Sequence, residues 1–357
     1  MTDSKYERLP HAGDFERVAG TEIVYLSPLP IPTGMPAYSS RNLHREANDV
    51  YLDFAIGQGN FEFMVRCGIA SVMGVVTTFM LAALVGSWAR RHVYPFWSTF
   101  ADFMVNWFMW GFIGVLALMY AVMFWRVMRE VSIHPPIRFN RQRREVAFVP
   151  TRGAAPIFVP WESVIACVSA GHTVTEYAVL PAFNLMFCLR EADTGNVLWI
   201  NVPSGHLGAA IAEWEAIRVY MEEGPASLPP PPDEEFEEGT VAYFHMARMG
   251  YRDNFPWWQH WLGFLFVQAF GGWTLPCHIS HWVNNRPKAG IPREVKAWST
   301  PLPAELHARP SAELLAQSEE VRKTLRRGQT LLDYFKVKFG EPAEPAAEVA
   351  SGSAPAR

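Results

Sequence analysis

The stretches CGIASVMGVVTTFMLAALVGSW (Cys67–Trp88) and FMVNWFMWGFIGVLALMYAVMFW (Phe103–Trp125) decide the fold. Neither contains a charged side chain, and the second contains a single amide, Asn106. A helix rises about 1.5 Å per residue, so about 20 apolar residues cross a hydrocarbon core of roughly 30 Å, and both stretches are longer than that. The sequence therefore predicts an α+β membrane protein with a transmembrane hairpin over residues 63–130, its two helices at 67–88 and 103–125.

Arginines near the two apolar stretches indicate the orientation of this hairpin. The loop between them carries only Arg90 and Arg91. The other ends carry Arg66, Arg126, Arg129, Arg138, Arg141, Arg143 and Arg144. Because Lys and Arg accumulate on the cytoplasmic side of a membrane, we expect both termini in the cytoplasm and a short external loop.

The hairpin has the composition of an anchor. Small residues on each stretch favour close contact between the helices: Gly68, Ala70, Ser71, Gly74, Gly111 and Gly114. The absence of charged side chains inside either stretch argues against an ion or proton pathway. We therefore interpret the hairpin as a tether for the rest of the chain.

Residues 1–62 are expected to form a partly ordered N-terminal cytoplasmic arm. The segment Asn42–Gly57 is compatible with a short helix ahead of the membrane. An alternative is that the arm packs on the later domain. The arm lacks a basic start followed by an apolar core, which argues against a cleavable signal peptide.

Residues 134–224 read as a β-rich domain that ends in one helix. IRFN and REVAFVP flank a polar RQR turn, and FNLMFCLREA and VLWINVP flank a second turn at Asp193–Asn196. PIFVPWESVIACVS supplies one or two further strands, and HLGAAIAEWEAIRVYMEE has helical periodicity. This order predicts a pleckstrin-homology-like β domain with a C-terminal helix.

The remaining chain divides by composition. Residues 225–239 form a proline-rich and acidic linker, and residues 341–357 a disordered tail. Between them, residues 240–340 are expected to be a helical C-terminal region. Its apolar run, Trp261–Leu275, is short for a membrane span, which leaves a buried or interfacial helix and a third membrane-embedded piece both open.

Composition limits the function classes. The formal net charge of −4 gives no global basic field for nucleic acid. The four cysteines are far apart in sequence, which favours free thiols. Cys277, His278 and His281 are candidate metal ligands, but a second half-site is missing, so we expect neither a metal nor another cofactor.

Two further groups of residues are candidate functional sites. Arg138, Arg141, Arg143 and Arg144 follow the second apolar stretch and are predicted to face lipid headgroups or a partner, or to serve as a solvated turn and topology signal. Glu162 and Cys167 lack a paired base at a suitable spacing, so no catalytic residue is predicted and the protein is expected not to be an enzyme.

The two adjacent spans, RFNRQRREVAFV, VPWESV and the late IPREVKAWS together resemble a bacterial family catalogued as domain of unknown function 6708, over about Ala37 to Trp298. The resemblance implies an inner-membrane protein often encoded beside type VI secretion effectors. It implies an accessory or immunity-like role and supplies no catalytic residues.

The sequence therefore predicts a non-enzymatic inner-membrane protein that tethers a cytoplasmic domain for a protein partner or a lipid surface. One alternative is an immunity protein against a secreted toxin. The other is a membrane-bound metal or haem redox protein that uses Cys277, His278 and His281.

Overall fold

The computed structural model describes residues 9–18, 21–38, 43–55, 61–133, 135–150, 153–174, 179–190, 197–204, 206–231, 239–285 and 290–340, together with Asp233, Glu235 and Glu237. The chain divides into two compact units. We call residues 1–57, 135–231 and 291–357 the β unit, and residues 58–134 and 232–290 the helical unit. The predicted tail at 341–357 and the turn at Asp193–Asn196 lie outside the described residues.

The β unit contains two antiparallel five-stranded sheets, ordered β1-β2-β8-β9-β10 and β3-β4-β5-β6-β7. The strands are β1 (Phe15–Val18), β2 (Thr21–Ser27), β3 (His44–Ala47), β4 (Tyr51–Phe54), β5 (Ile137–Asn140), β6 (Glu145–Phe148), β7 (Ile157–Pro160), β8 (Ile165–Val174), β9 (Val179–Arg190) and β10 (Val197–Ser204). The pairing of β5 with β6 and of β9 with β10 confirms both predicted hairpins.

The described strands of the N-terminal arm are part of this β structure, which agrees with the alternative that the arm packs on the later domain and not with a partly ordered segment. Its strand β2 pairs with β8, and its strand β4 pairs with β5 in the register Phe54↔Ile137. The apolar helices are therefore inserted in the chain between two paired strands, rather than preceding the whole β domain. Strands this short carry too little periodicity to be recognised without their long-range partners.

The short helix expected within Asn42–Gly57 is instead the hairpin β3–β4. The Asn48 side chain accepts hydrogen bonds from the backbone N–H groups of Val50 and Tyr51, each at 2.9 Å. This Asx turn reverses the chain after Ala47, and Asn and Asp at such positions favour turns over helix.

Helix α4 (Leu207–Glu223) closes the main core of the β unit. Its Trp214, Ile217 and Tyr220 are buried with Phe139, Trp161 and Phe187 from the strands, and Trp161 and Trp214 pack with ring centroids 5.2 Å apart. Every residue from Ala212 to Met221 is buried, so α4 is covered on all sides there, which explains its weak amphipathic pattern. Tertiary packing supplies most of the stability of such a helix.

The predicted region 240–340 is divided between the two units. Residues 291–340 belong to the β unit and contain α9 (Arg293–Trp298), α10 (Ala312–Arg326) and α11 (Leu331–Phe339). Arg143 Nε donates to the Trp298 carbonyl at 2.8 Å, and Trp298 Nε1 donates to Glu145 at 2.8 Å. The predicted helical character of the region agrees with these elements, and the contacts of residues 291–340 with strands distant in sequence are what helical composition alone does not reveal.

The helical unit begins with α1 (Phe61–Ala89), α2 (Phe96–Met104) and α3 (Trp107–Ile133). Two stretches, Phe61–Ala89 and Phe96–Arg129, are long and apolar enough to cross a membrane. The second predicted helix is broken at Asn106, whose side chain accepts the Phe108 N–H at 2.9 Å and so caps α3.

Small residues contribute unequally to the contact between α1 and α3. A Cβ added at Gly68 would stand 3.4 Å from the Tyr120 ring, so this glycine allows close packing. Gly74, Gly111 and Gly114 have open space at that position. The predicted small-residue face is therefore used at one end of α1.

The second part of the helical unit starts with α5 (Val241–Asn254). A continuous rod then runs through α6 (Trp257–Gln259), a π-helical stretch (His260–Phe266) and α7 (Val267–Phe270). After a turn at residues 271–274 comes α8 (Leu275–Asn284), bent from the rod by 51°. The predicted run Trp261–Leu275 is thus interrupted by Gly271 and Gly272.

Candidate functional site

Strand β10 is the most open edge of the β unit. It is the last strand of its sheet, and in the described residues no strand pairs with its outer edge. Its eight residues, VLWINVPS, include no charge. Val197 and Trp199 are 48% and 43% exposed, while Ile200 and Val202 point into the core.

The other three edge strands are half as long as strand β10, and two of them carry charges. Strand β10 also contains a proline, Pro203, but only after the six residues Val197–Val202, which include neither proline nor charge. Strands β1 (FERV) and β3 (HREA) are four residues long and carry charges, and β7 (IFVP) is equally short and ends in Pro160. Short length, charge and proline are the devices that prevent an edge from pairing with another chain. A long, uncharged edge with an exposed Trp is instead typical of strand addition by a partner.

The sequence of β10 contains a signal for this surface. In VLWINVP, apolar side chains occupy both alternating sets of positions, although only the face with Ile200 and Val202 packs on the core. Large apolar residues at the solvent-facing positions of such a strand indicate either a second covering layer or a binding surface.

The four predicted basic residues do not form one open patch. Arg138 is 5% exposed, and its Nε and Nη2 donate to the two Asp53 oxygens at 2.6 Å each, while its guanidinium stacks 3.5 Å from the Tyr51 ring centroid. Burial raises the pKa of Asp53, and the bonds from Arg138 oppose that rise. The positive charge of Arg138 is therefore paired with the Asp53 carboxylate inside the fold.

Arg144 is also held in a buried ion pair. Its guanidinium donates to both Glu222 oxygens at 3.0 and 2.8 Å and to Glu162 at 3.1 Å. The Trp161 indole N–H donates to the same Glu222 at 2.9 Å. Glu162, considered above as a catalytic residue, thus serves as a partner of Arg144 and also accepts the Ser311 N–H at 3.0 Å.

The remaining two arginines are half-buried. Arg143 is bonded to the Trp298 carbonyl, as described above, and the Arg141 guanidinium lies against Gly224, where an added Cβ would stand 3.2 Å from Arg141 Cζ. The turn is polar, as the sequence predicts, but its cations contact the protein itself. These four side chains therefore do not form a surface of free positive charges for lipid headgroups.

Cys277, His278 and His281 lie on α8 but are not brought together. Cys277 is fully buried, whereas the two histidines are exposed. His278 points about 100° away from Cys277 around the helix, and His281, although one turn further along the same face, lies where α8 is exposed. His281 Nε2 lies 2.8 Å from the Asn285 amide. Among the described residues, no three His, Cys, Asp or Glu side chains form a group that could hold a metal ion.

Cys277 lies next to Arg66, on the first turns of α1, and not next to the two histidines. Arg66 is buried, forms an ion pair with Glu62, and donates from Nη1 to the Trp273 carbonyl at 3.0 Å. Its Nη2 lies 3.9 Å from the Cys277 sulfur. Trp273 has a φ of 56°, unusual for a bulky residue, so Arg66 supports a strained turn between α7 and α8.

Cys167 and an apolar groove are two further places where chemistry could occur. Cys167 is fully buried in strand β8, and burial raises its pKa to about 12, so the thiol is protonated at neutral pH and is a poor nucleophile. A groove of 340 Å³ between α1, α3 and α8 is lined by apolar side chains and Tyr120, whose hydroxyl donates to Ser71 at 2.9 Å. The groove therefore presents no reactive group.

No protein-family model, curated protein or solved structure matches this chain. The resemblance to the family catalogued as domain of unknown function 6708 therefore stays a prediction, as do the associated type VI secretion context and the inner-membrane location.

Proposed function

We propose that this protein is a non-enzymatic, membrane-anchored binding protein whose β unit recognises a protein partner through strand β10. The observation that carries the proposal is the edge Val197–Val202, which has neither charge nor proline and exposes Val197 and Trp199, beside three edges of only four residues that are charged or proline-ended. Strand addition supplies affinity through main-chain hydrogen bonds, and exposed side chains such as Trp199 supply specificity.

The anchor in this proposal is the pair α1 and α3, which cross the bacterial inner membrane with both ends in the cytoplasm. Their length and apolar composition support it, and so does the pairing of β4 with β5, which flank the two helices in the chain. Because one sheet contains both strands, the two ends of the inserted segment must emerge on the same side of the membrane.

The β unit is proposed to be a pleckstrin-homology-like domain extended by the N-terminal strands. In its favour, β4 to β7 form a four-strand meander, β8 to β10 form a three-strand meander, and α4 follows. Fold likeness alone does not determine a ligand, so the function rests on the β10 surface.

A protein partner is preferred over a lipid surface because the predicted basic residues are engaged internally. Arg138 and Arg144 are buried in ion pairs, which removes the charges nearest to a lipid-binding patch. The family resemblance adds the proposal that the partner is a type VI secretion component or effector, and the genes adjacent to the coding sequence identify candidates.

A photo-crosslinking experiment tests this function. The photoreactive amino acid p-benzoylphenylalanine is placed at Trp199 and, as a matched control, at Val337, which is also exposed on the β unit. We expect a discrete protein adduct at position 199 that is absent at 337 and is lost when Val197→Lys is added. An adduct with phospholipid alone at position 199 would contradict a protein partner.

A further inference from the structure

The segment Trp257–Asn284 contains no Asp, Glu, Lys or Arg, yet much of it is exposed in the helical unit. Large side chains on the rod α6 to α7 are more than half exposed: Trp257 (75%), Trp258 (53%), Trp261 (58%), Leu262 (63%) and Phe266 (55%). An exposed apolar surface of this kind on a protein with membrane helices calls for a specific covering partner.

We propose that Trp257–Asn284 lies in the interface of the membrane leaflet from which α1 and α3 emerge, as a second anchor that does not cross the bilayer. The occupant of its exposed aromatic face is lipid. This inference rests on the proposed spanning role of α1 and α3. It goes beyond that role by giving a location to Trp257–Asn284, for which the sequence leaves a buried or interfacial helix and a membrane-embedded piece both open.

The first argument is the path of the chain. The β unit includes residues 135–231 and also residues 291–340, which are fixed to it by the Trp298 bonds and by the Ala308 N–H, which donates to the Gln142 carbonyl at 2.8 Å. The chain therefore leaves the β unit at residue 231 and returns to it at residue 291. A water-soluble unit lies on one side of a membrane, so the intervening segment crosses an even number of times.

The second argument is length. The rod Trp257–Phe270 extends about 20 Å and α8 about 15 Å, at roughly 1.5 Å per residue, and each falls short of the roughly 30 Å of a hydrocarbon core. The rod and α8 are therefore each too short to cross the bilayer, which excludes two crossings. A single crossing is excluded because the chain returns to the β unit. What remains is a segment that enters the interface and returns.

The third argument is the two-layered packing of this part. Phe264 of the rod is buried against α5, with ring centroids 5.7 Å from Phe244 and 5.4 Å from Tyr251. The open side of α5 presents His245, Arg252 and Asp253 together with one apolar side chain, Met249. This layer is thus mostly polar and the rod is aromatic, which is the arrangement of elements that bury an apolar face about 5–10 Å into the headgroup region.

The fourth argument is the attachment to α1. The turn after α7 contacts the beginning of that helix: Arg66 donates to the Trp273 carbonyl, and a Cβ on Gly272 would stand 2.8 Å from Ile69. Both Arg66 and Ile69 lie within the first third of α1. The turn is therefore fixed beside the end of a span, where Trp side chains prefer to lie.

Two measurements on the full-length protein test the proposal. In cells, an impermeant maleimide is applied to His92→Cys and Gly290→Cys variants, with the wild-type cysteines as background. We expect labelling from outside at position 92 alone. Labelling from outside at position 290 would show a third span and overturn the proposal, whereas failure at position 92 would instead contradict the anchoring by α1 and α3.

The depth of the segment is measured by photo-crosslinking to lipid. The protein is reconstituted in vesicles of phosphatidylethanolamine and phosphatidylglycerol, with p-benzoylphenylalanine at Leu262, at Val115 of α3, or at Val337 of the β unit. We expect a phospholipid adduct at 262 and 115 and none at 337. Absence of the adduct at 262, with the adduct at 115 present, would show a water-facing element and overturn the proposal.

Discussion

Arg138 shows how one side chain of a predicted surface patch becomes part of the fold. Its bidentate bond to Asp53 and its stacking on Tyr51 join β4 to β5, the strands on either side of the inserted helices. Burial lowers the pKa of Arg138, but its bonds to Asp53 outweigh this effect and leave it raised. The arginine therefore stays charged, and its energetic role depends on keeping its partner.

We predict that Arg138→Met destabilises the β unit by about 3–5 kcal/mol, because it leaves the Asp53 carboxylate buried and uncompensated. The double variant Asp53→Leu with Arg138→Met should lose less stability than the single variant, since no isolated buried charge remains. Denaturant unfolding of the detergent-solubilised protein measures both. Equal losses in the single and double variants would contradict this account of the pair.

Asp333 gives a prediction about pH. It closes a capping box with Thr330 at the start of α11, and the hydrogen bonds from the Thr330 backbone and hydroxyl lower the pKa of Asp333. A carboxyl whose pKa is lower in the folded state stabilises above its ordinary value of about 3.9 and loses that contribution as the pH falls through its folded pKa.

We therefore expect Asp333→Asn to speed hydrogen exchange in α11 at neutral pH, with a difference from wild type that shrinks as the pH falls below about 3.9. Glu305→Gln, which removes an exposed carboxylate outside the cap, is the control. If the difference in exchange rate between Asp333→Asn and wild type grew on acidification, the role of the Asp333 carboxylate in stabilising the cap would be contradicted.

At the scale of elements, the β3–β4 hairpin depends on one turn residue. Because Asn48 accepts two backbone hydrogen bonds, Asn48→Ala should destabilise this edge by about 1–2 kcal/mol. The measurement is hydrogen exchange at Leu52 and Phe54, which pair with β3 or β5. Asn196→Ala, in the turn that the sequence predicts at Asp193–Asn196, provides a comparison, and equal effects of both variants on exchange in β4 would argue against a local role of Asn48.

The strand β10 surface supports a second prediction about an element. A Trp at the centre of an interface commonly contributes about 2 kcal/mol or more, so Trp199→Ala should weaken partner binding by about 30-fold. Thermal unfolding should change little, since Trp199 is 43% exposed and Ile200 and Val202 maintain the core. Val337→Ala, at another exposed site of the β unit, should leave binding unchanged.

Sequence patterns predicted elements well where the signal was local. Long uncharged apolar stretches identified α1 and α3, and turn residues identified the β5–β6 hairpin. They failed where partners were distant: β4 was expected to be helical because its partner β5 follows the inserted helices, and Arg138 looked solvent-exposed because Asp53 lies far away in sequence. The β10 surface was missed for the same reason. Whether a strand lies at the edge of a sheet depends on the order of all the strands in that sheet.

At the scale of the whole molecule, the division into units predicts that the β unit is separable. Residues 58–134 and 232–290 can be replaced by flexible Gly-Ser linkers of about ten residues, which span roughly 15–20 Å. The paired residues Phe54 and Ile137 keep the first junction short. We expect a monodisperse protein without detergent that melts cooperatively, as judged by size-exclusion chromatography and circular dichroism.

The matched variant replaces residues 58–134 alone. It retains the aromatic face of the rod, and should therefore aggregate or remain with the membrane fraction. If the variant with both replacements also aggregates, the β unit requires the helical unit to fold, and the division into separable units is wrong.

The pairing of β4 with β5 also has a consequence for biogenesis. A ribosome adds about 5–20 residues per second, so the N-terminal strands wait on the order of ten seconds before their partners β5 and β8 are synthesised. In the proposed topology, the apolar helices are recognised and delivered to the insertion machinery during that time. The two sheets can then close only after both ends of the hairpin lie on the same side of the membrane, so completion of the β structure would depend on correct insertion.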